Sequence, residues 1–472
     1  MSPARKAAFT ILLRVERESA YAIELLHSSL LEDLSVSDRN LANEIVMGVL
    51  RWRSLLDASF ARLVTKSLHK LDLEVLVALR MGAYQLAFLD RTPGHAVVHE
   101  TVELVKQARK RSAASLVNAV MRKLAPLRAQ MISTDKESAH DFAHPPWLVE
   151  RWIVAFGMEV AAKVCRYDQQ APPTVIRMSG NADEEQLRAE GIELAPGGLI
   201  KNARMVMAGD VTKSKLLQSG RVAIQDEGSQ LVAALVGEGK RMLDCCAAPG
   251  GKTAALAAAF PESEILATEL HLHRARLLRR MAPQHNVHVI AADARYLPLR
   301  DGFDRVLADV PCSGTGTLAR NPEIKWRLKS QDILDLQQRQ ISIVNSTLKH
   351  VAPGGRLIYS TCSLEREEGE QVIDTVLREN QEFEIVPVQQ ELARLRDSGV
   401  LNWAEIERLA SGSFLRTFPG VHPCDGFFAA ILRRTTKDTK GLNPNHRGHG
   451  GTQRKSNEVT KICETTKNLD AI

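Results

Sequence analysis

Two cysteines in this chain sit in settings that resemble each other. One is Cys312, in Asp309-Val-Pro-Cys-Ser-Gly-Thr-Gly316; the other is Cys362, in Ser360-Thr-Cys-Ser363. A cysteine reacts as its thiolate, whereas a buried thiol in apolar surroundings is an inert filler. A third segment carries a different signal: Met242-Leu-Asp-Cys-Cys-Ala-Ala-Pro-Gly-Gly-Lys-Thr253 reads as a strand, a tight turn and a helix start. Gly250 and Gly251 let the backbone approach a ligand closely, and the first turn of the helix offers free N–H groups. Three ligand classes use such turns. A P-loop needs glycine five positions before Gly251, and that position is Cys246. A dinucleotide fingerprint needs G-x-G-x-x-G, which the turn lacks. The third class is S-adenosylmethionine, bound by methyltransferases built on an open α/β sheet. A nucleoside triphosphate stays as the outside option.

The elements that must position these residues follow from hydrophobic periodicity. From about residue 216 to 434, strand-like runs alternate with helical ones, which predicts a parallel sheet covered by helices on both faces. Ile265–Thr268 reads as the second strand and leads to Glu269, 18 residues past Gly251, close to the spacing at which an acid meets a ribose. Val287–Ala292 leads to Asp293, and Phe303–Ala308 to Asp309. One such acid reads as a surface cap. Three at the carboxyl ends of successive strands, where open sheets bind ligands, read as a site. A helix over Gln331–His350 follows, ended by Pro353-Gly-Gly355, and the strand Arg356–Thr361 delivers Cys362. A strand–helix–strand crossover sets its two strands side by side about 4.8 Å apart. Cys312 and Cys362 are therefore expected at one edge of the sheet, beside the glycine turn.

These segments together resemble the RNA cytosine-C5 methyltransferases of the NOL1/NOP2/Sun family. The resemblance extends to Asn321-Pro-Glu-Ile-Lys-Trp326, to Asp425-Gly-Phe-Phe428 and to Gln225-Asp-Glu-Gly-Ser229, and covers about residues 5–434. It implies a Rossmann-like methyltransferase domain using S-adenosylmethionine, with RNA as substrate. C5 of cytosine is a poor nucleophile until a thiolate adds at C6, which requires an activated cysteine and a hydrogen bond or acid at N3. From the residues alone either cysteine could be that nucleophile. The resemblance implies Cys362, with Cys312 assisting product release and Asp309 contacting N3 and the cofactor side of the pocket. It further implies that Cys246, Ala247, Ala248, Pro249, Gly250, Gly251 and Lys252 wrap the methionine part of the cofactor, Glu269 its ribose and Asp293 its adenine. Glu269 stands where the family commonly has Asp. Lys325 and Trp326 either pack around the target strand or serve the structure. The target base must be unstacked, so loop or single-stranded RNA is expected.

The remainder of the chain fits an RNA partner. Residues 1–128 read as all-helical, with Leu41, Ile45, Val49, Trp52, Leu56, Phe60 and Leu63 at helical spacing, and resemble the NusB-like RNA-binding domain. Together with the catalytic motifs this implies 16S ribosomal RNA as the substrate; a tRNA, 23S RNA or a purely RNA-binding role are the alternatives. Residues 141–215 read as a small α+β connector, 216–434 as the methyltransferase domain and 435–472 as a disordered basic tail, with 129–140 a linker. The 472 residues carry a net charge of +6, unevenly spread. Residues 1–130 hold 19 Lys/Arg against 13 Asp/Glu, with Lys106, Arg109, Lys110, Arg111, Arg122 and Lys123 closely spaced. A hydrophobic fraction of 44% excludes a mainly disordered chain, and no apolar run suits a membrane helix. Seven cysteines, none in CxxC spacing, support neither a disulfide framework nor a zinc site. A cytoplasmic monomer without a metal is expected.

Overall fold

The computed structural model describes residues 2–64, 67–130, 143–300 and 302–436. The described residues up to Arg434 form one compact unit. Most of the predicted linker, and the predicted tail from 437 onward with Cys463, lie outside the described residues.

The N-terminal region is helical. Its main helices are Pro3–Glu18, Val36–Ala61, Leu73–Phe88, Gly94–Gln107 and Ala114–Leu124. Ser35 caps the longest by accepting the N–H of Asp38, satisfying a donor the helix itself leaves free. Leu73–Phe88 is apolar around most of its circumference and is buried by its neighbours, as such a helix must be.

The strands β1 (Val175–Arg177), β2 (Glu193–Pro196), β3 (Ala203–Ala208) and β4 (Ala223–Ile224) form a small antiparallel sheet in the order β2-β3-β1-β4. The larger sheet contains β5 (Arg241–Asp244), β6 (Glu264–Glu269), β7 (Val287–Ala291), β8 (Phe303–Asp309), β9 (Val351–Thr361), β10 (Phe383–Val386), β11 (Ala410–Ser411), β12 (Phe414–Arg416) and β13 (Phe428–Arg434). Its order is β11-β12-β13-β9-β8-β5-β6-β7, with β10 also paired to β13. Strands β5 to β9 pair in parallel. The sheet is not parallel throughout: β13 pairs antiparallel with β9, and β10 and β12 antiparallel with β13. Side chains of β9 alternate between two apolar layers. Ile358 packs with Leu231, Leu235 and Leu256 on one face, and Leu357 and Tyr359 with Ile343, Val344 and Val376 on the other. Helices thus cover both faces, as the pattern predicts.

Pro353-Gly-Gly355 does not end the preceding helix. That helix spans Ser330–Leu348, and the triplet lies inside β9, where the register against β8 slips between Phe303 and Arg305. A bulge lets a strand accommodate residues that would break its ladder.

Candidate active site

Strand β8 ends at Asp309, which faces Ser360 of β9 in register. The chain beyond each strand end carries one cysteine, so the crossover brings the two thiols together: Cys312 Sγ and Cys362 Sγ lie 3.4 Å apart. The loops are knitted where Gly316 donates its N–H to the Cys362 carbonyl (2.8 Å) and accepts from Gly426 N–H (2.8 Å). A Cβ at Gly316 would come within 2.3 Å of the Gly426 oxygen and 2.8 Å of the Cys362 oxygen, so this approach requires glycine.

Asp309 is engaged on both oxygens. Oδ1 accepts from the Ser360 hydroxyl (2.6 Å) and Oδ2 from Lys252 Nζ (2.7 Å). Burial disfavours the Lys252 charge, but Asp309 beside it more than offsets this, and negative charge at Cys362 and Asp244 adds to the effect; its pKa lies above the usual lysine value. The ammonium also lies 5.3 Å from the ring centre of Phe427. Cys312 is held well above the usual thiol range, first by its hydrogen bond to Cys362, then by burial and by the charges of Cys362 and Glu368. The Lys252 charge thus couples to Cys362 and the Glu368 charge to Cys312.

The glycine turn adjoins this pair. Gly250 has φ 116°, and the helix Gly251–Ala259 starts beyond it. Cys246, Ala247, Ala248 and Pro249 form the turn, whose Ala248–Pro249 peptide is cis. Glu269 ends β6, nearly buried; Oε1 accepts the His271 N–H (3.0 Å) and lies 3.8 Å from Arg274 Nη1. Oε2 accepts nothing from the described residues, which leaves an acceptor for a ribose hydroxyl. An open helix start, a close-approach turn and that carboxylate fit S-adenosylmethionine. Asp293 lies two residues past the end of β7, and Arg295 binds both of its oxygens, with Nη2 at 2.6 Å. No group of three or more His, Cys, Asp or Glu among the described residues could hold a metal.

Other family-like segments turn out to be staples. Arg320 bonds Asp425 Oδ2 (2.6 Å) and Asp226 Oδ2 (3.1 Å), joining two of them. Lys325 and Trp326 serve the structure: Lys325 Nζ donates to the Arg51 carbonyl (3.0 Å) and Trp326 Nε1 to the Leu50 carbonyl (2.6 Å), both on the N-terminal helical region. Glu323 accepts the Ala22 N–H there (2.9 Å). Sequence reasoning missed Glu368, a fully buried acid bonded to residues beside both cysteines. Among the basic residues of the helical region, Arg111, Arg122 and Lys123 are exposed, while Lys106 pairs with Glu103 and Lys110 with Asp72.

Residues 233–433 match the family model "16S rRNA methyltransferase RsmB/F", and residues 2–126 match the NusB family. The chain is 32% identical over 449 residues to a probable ribosomal RNA small subunit methyltransferase B of Bacillus subtilis, covering 91% of this chain and 98% of that one. It is 31% identical over 369 residues to the ribosomal RNA small subunit methyltransferase B of Klebsiella pneumoniae strain 342, covering 75% and 85%. The crystal structure of PH0851 superposes with a TM-score of 0.72 at 22% identity, over 92% of this chain and 99% of that one, a likeness of fold. This chain belongs to the RsmB/F family of S-adenosylmethionine-dependent rRNA methyltransferases.

Proposed function

We propose that the enzyme methylates C5 of a cytosine in 16S ribosomal RNA through a covalent bond between Cys362 and C6. The observation that carries the reading is the convergence of two sulfurs, 3.4 Å apart, beside the Lys252–Asp309 pair. The names of the relatives support the small-subunit substrate.

S-adenosylmethionine supplies an electrophilic methyl group. The chain does the rest. Cys362, to which the Lys252 charge couples, attacks C6, and the ring electrons move toward C5 and N3. Asp309 and the Lys252 proton it holds face the charge that develops at N3. Once C5 carries the methyl group, solvent water takes the C5 proton, the C5–H electrons form the C5=C6 bond, and the C6–S bond breaks with its electron pair going to the Cys362 sulfur. Cys312 keeps its proton and donates it as a hydrogen bond to the departing sulfur. Cys246–Lys252 hold the methionine part of the cofactor, Glu269 the ribose hydroxyls and Asp293, with Arg295, the adenine side. The cytosine must be turned out of its stack to be reached.

The test uses 16S RNA lacking the modification, with 5-methylcytosine mapped at nucleotide resolution. Cys362→Ala abolishes methyl transfer and leaves S-adenosylmethionine binding intact. Cys312→Ala builds up an RNA–protein adduct that survives denaturing electrophoresis. An adduct in Cys362→Ala and none in Cys312→Ala would exchange the two roles; an active Cys362→Ala enzyme would end the covalent reading.

A further inference from the structure

Glu368 lies six residues after Cys362, in the short turn Arg366–Glu368, with no exposed surface. Four donors converge on it. Oε1 accepts the Ser313 backbone N–H (2.9 Å) and Gln340 Nε2 (2.9 Å); Oε2 accepts the Ser363 hydroxyl (2.6 Å) and the Ser313 hydroxyl. Ser313 follows Cys312 in the chain and Ser363 follows Cys362, and their hydroxyls lie 3.1 Å apart. Gln340 also bonds the Pro311 carbonyl (2.9 Å), and Tyr359 bonds the Glu368 carbonyl (2.7 Å). One side chain therefore ties the backbone behind one thiol to the side chain behind the other.

No ion pair joins Glu368 among the described residues. Burying a carboxylate without a countercharge is costly, and hydrogen bonds alone could tie two loops through a neutral amide. The charge has a use at this position. It acts on Cys312 and favours the protonated thiol, while Lys252 acts on the Cys362 side. The titratable groups facing Cys312 are Cys362, Glu368 and Tyr359, and burial keeps the Tyr359 phenol protonated.

We infer that Glu368 is a positioning residue: its buried carboxylate, bonded to the backbone and hydroxyl behind Cys312 and to the hydroxyl behind Cys362, holds the two cysteine loops in register with its charge set behind Cys312. The inference rests on the proposed cytosine-C5 reading and deepens it.

Full-length Glu368→Ala, Glu368→Gln and wild type are compared for kcat, KM for RNA, S-adenosylmethionine Kd and the pH dependence of kcat. Glu368→Ala lowers kcat by about 100-fold, the cost of a misplaced reacting group, with the cofactor Kd unchanged. Glu368→Gln retains size and acceptor, so it recovers part of kcat; its alkaline limb moves to lower pH, because the charge that held the Cys312 proton is gone. A purely structural tie would lower Tm without moving that limb. Should Glu368→Ala not fold, Ser363→Ala takes its place, removing one tie and lowering kcat in the same direction. Wild-type kcat and an unmoved limb in Glu368→Gln overturn the inference while wild type still makes 5-methylcytosine. A wild type that makes none overturns the proposed function itself.

Discussion

At the scale of single residues, the acids of this site differ by what surrounds them. Asp244, at the end of β5, is fully enclosed; its Oδ2 accepts from the Thr253 hydroxyl at 2.7 Å. Burial pushes its pKa up to about 7, with the charge of Asp309 adding to the rise. The folded protein thus holds a proton that the unfolded chain has already released between the usual carboxyl range and about pH 7. Stability contributed by this group is present at low pH and falls as pH rises through that window. Asp244→Asn keeps an acceptor for Thr253 and removes the titration. Its Tm relative to wild type should climb from about pH 5 to about pH 8, and parallel Tm curves would show that Asp244 is not the group responsible. Glu269, Asp293 and Asp309 were legible in the sequence because strands end in a regular order; Asp244, one strand earlier, was not singled out. Nor was Glu368: in Glu365-Arg-Glu-Glu368 nothing in the spacing separates the one acid that clamps the thiol loops from its neighbours. Only the fold sets Ser313 beside it.

At the scale of elements, the turn after β5 depends on a backbone that side chains resist. Gly250 has φ 116°, and a Cβ there would lie 3.0 Å from Leu278 Cδ1 and 3.2 Å from Met281 Cβ. Gly250→Ala should cost about 1–3 kcal/mol of stability through strain, and should weaken S-adenosylmethionine binding, because relief of the strain displaces Cys246–Lys252. Calorimetry and equilibrium binding read the two effects; an unchanged cofactor Kd would show that the turn does not hold the ligand. Hydrophobic period and chain order made the five parallel strands readable. They misread Pro353-Gly-Gly355, whose residues ordinarily stop a helix, because the bulge that tolerates them exists only against β8. They also missed the antiparallel edge, since short strands such as β12 (Phe414–Arg416) give no alternation long enough to orient.

For the whole molecule, the helical region is part of the catalytic architecture. The segment running from Cys312 to Arg327 contributes the active-site loop at one end and the contacts with Leu50, Arg51 and Ala22 at the other. Arg51 returns a hydrogen bond to the Ala319 carbonyl (3.0 Å). Lys325 is buried there with Asp168, and burial lowers its pKa to about 7 while Asp168 opposes the shift. Domains joined by a linker alone unfold separately; regions joined through a large buried interface unfold together. Calorimetry of the full chain should therefore give one cooperative transition spanning the helical and catalytic regions. Lys325→Ala leaves the buried Arg51 carbonyl without its donor, at a cost of about 1–3 kcal/mol, and should split that transition in two. It should also depress methyl transfer, since the tether that ends at Trp326 begins beside Cys312. Two transitions in wild type, or full activity in a Lys325→Ala protein whose transition has split, would mean that the helical region only delivers RNA and does not brace the loop that carries Cys312.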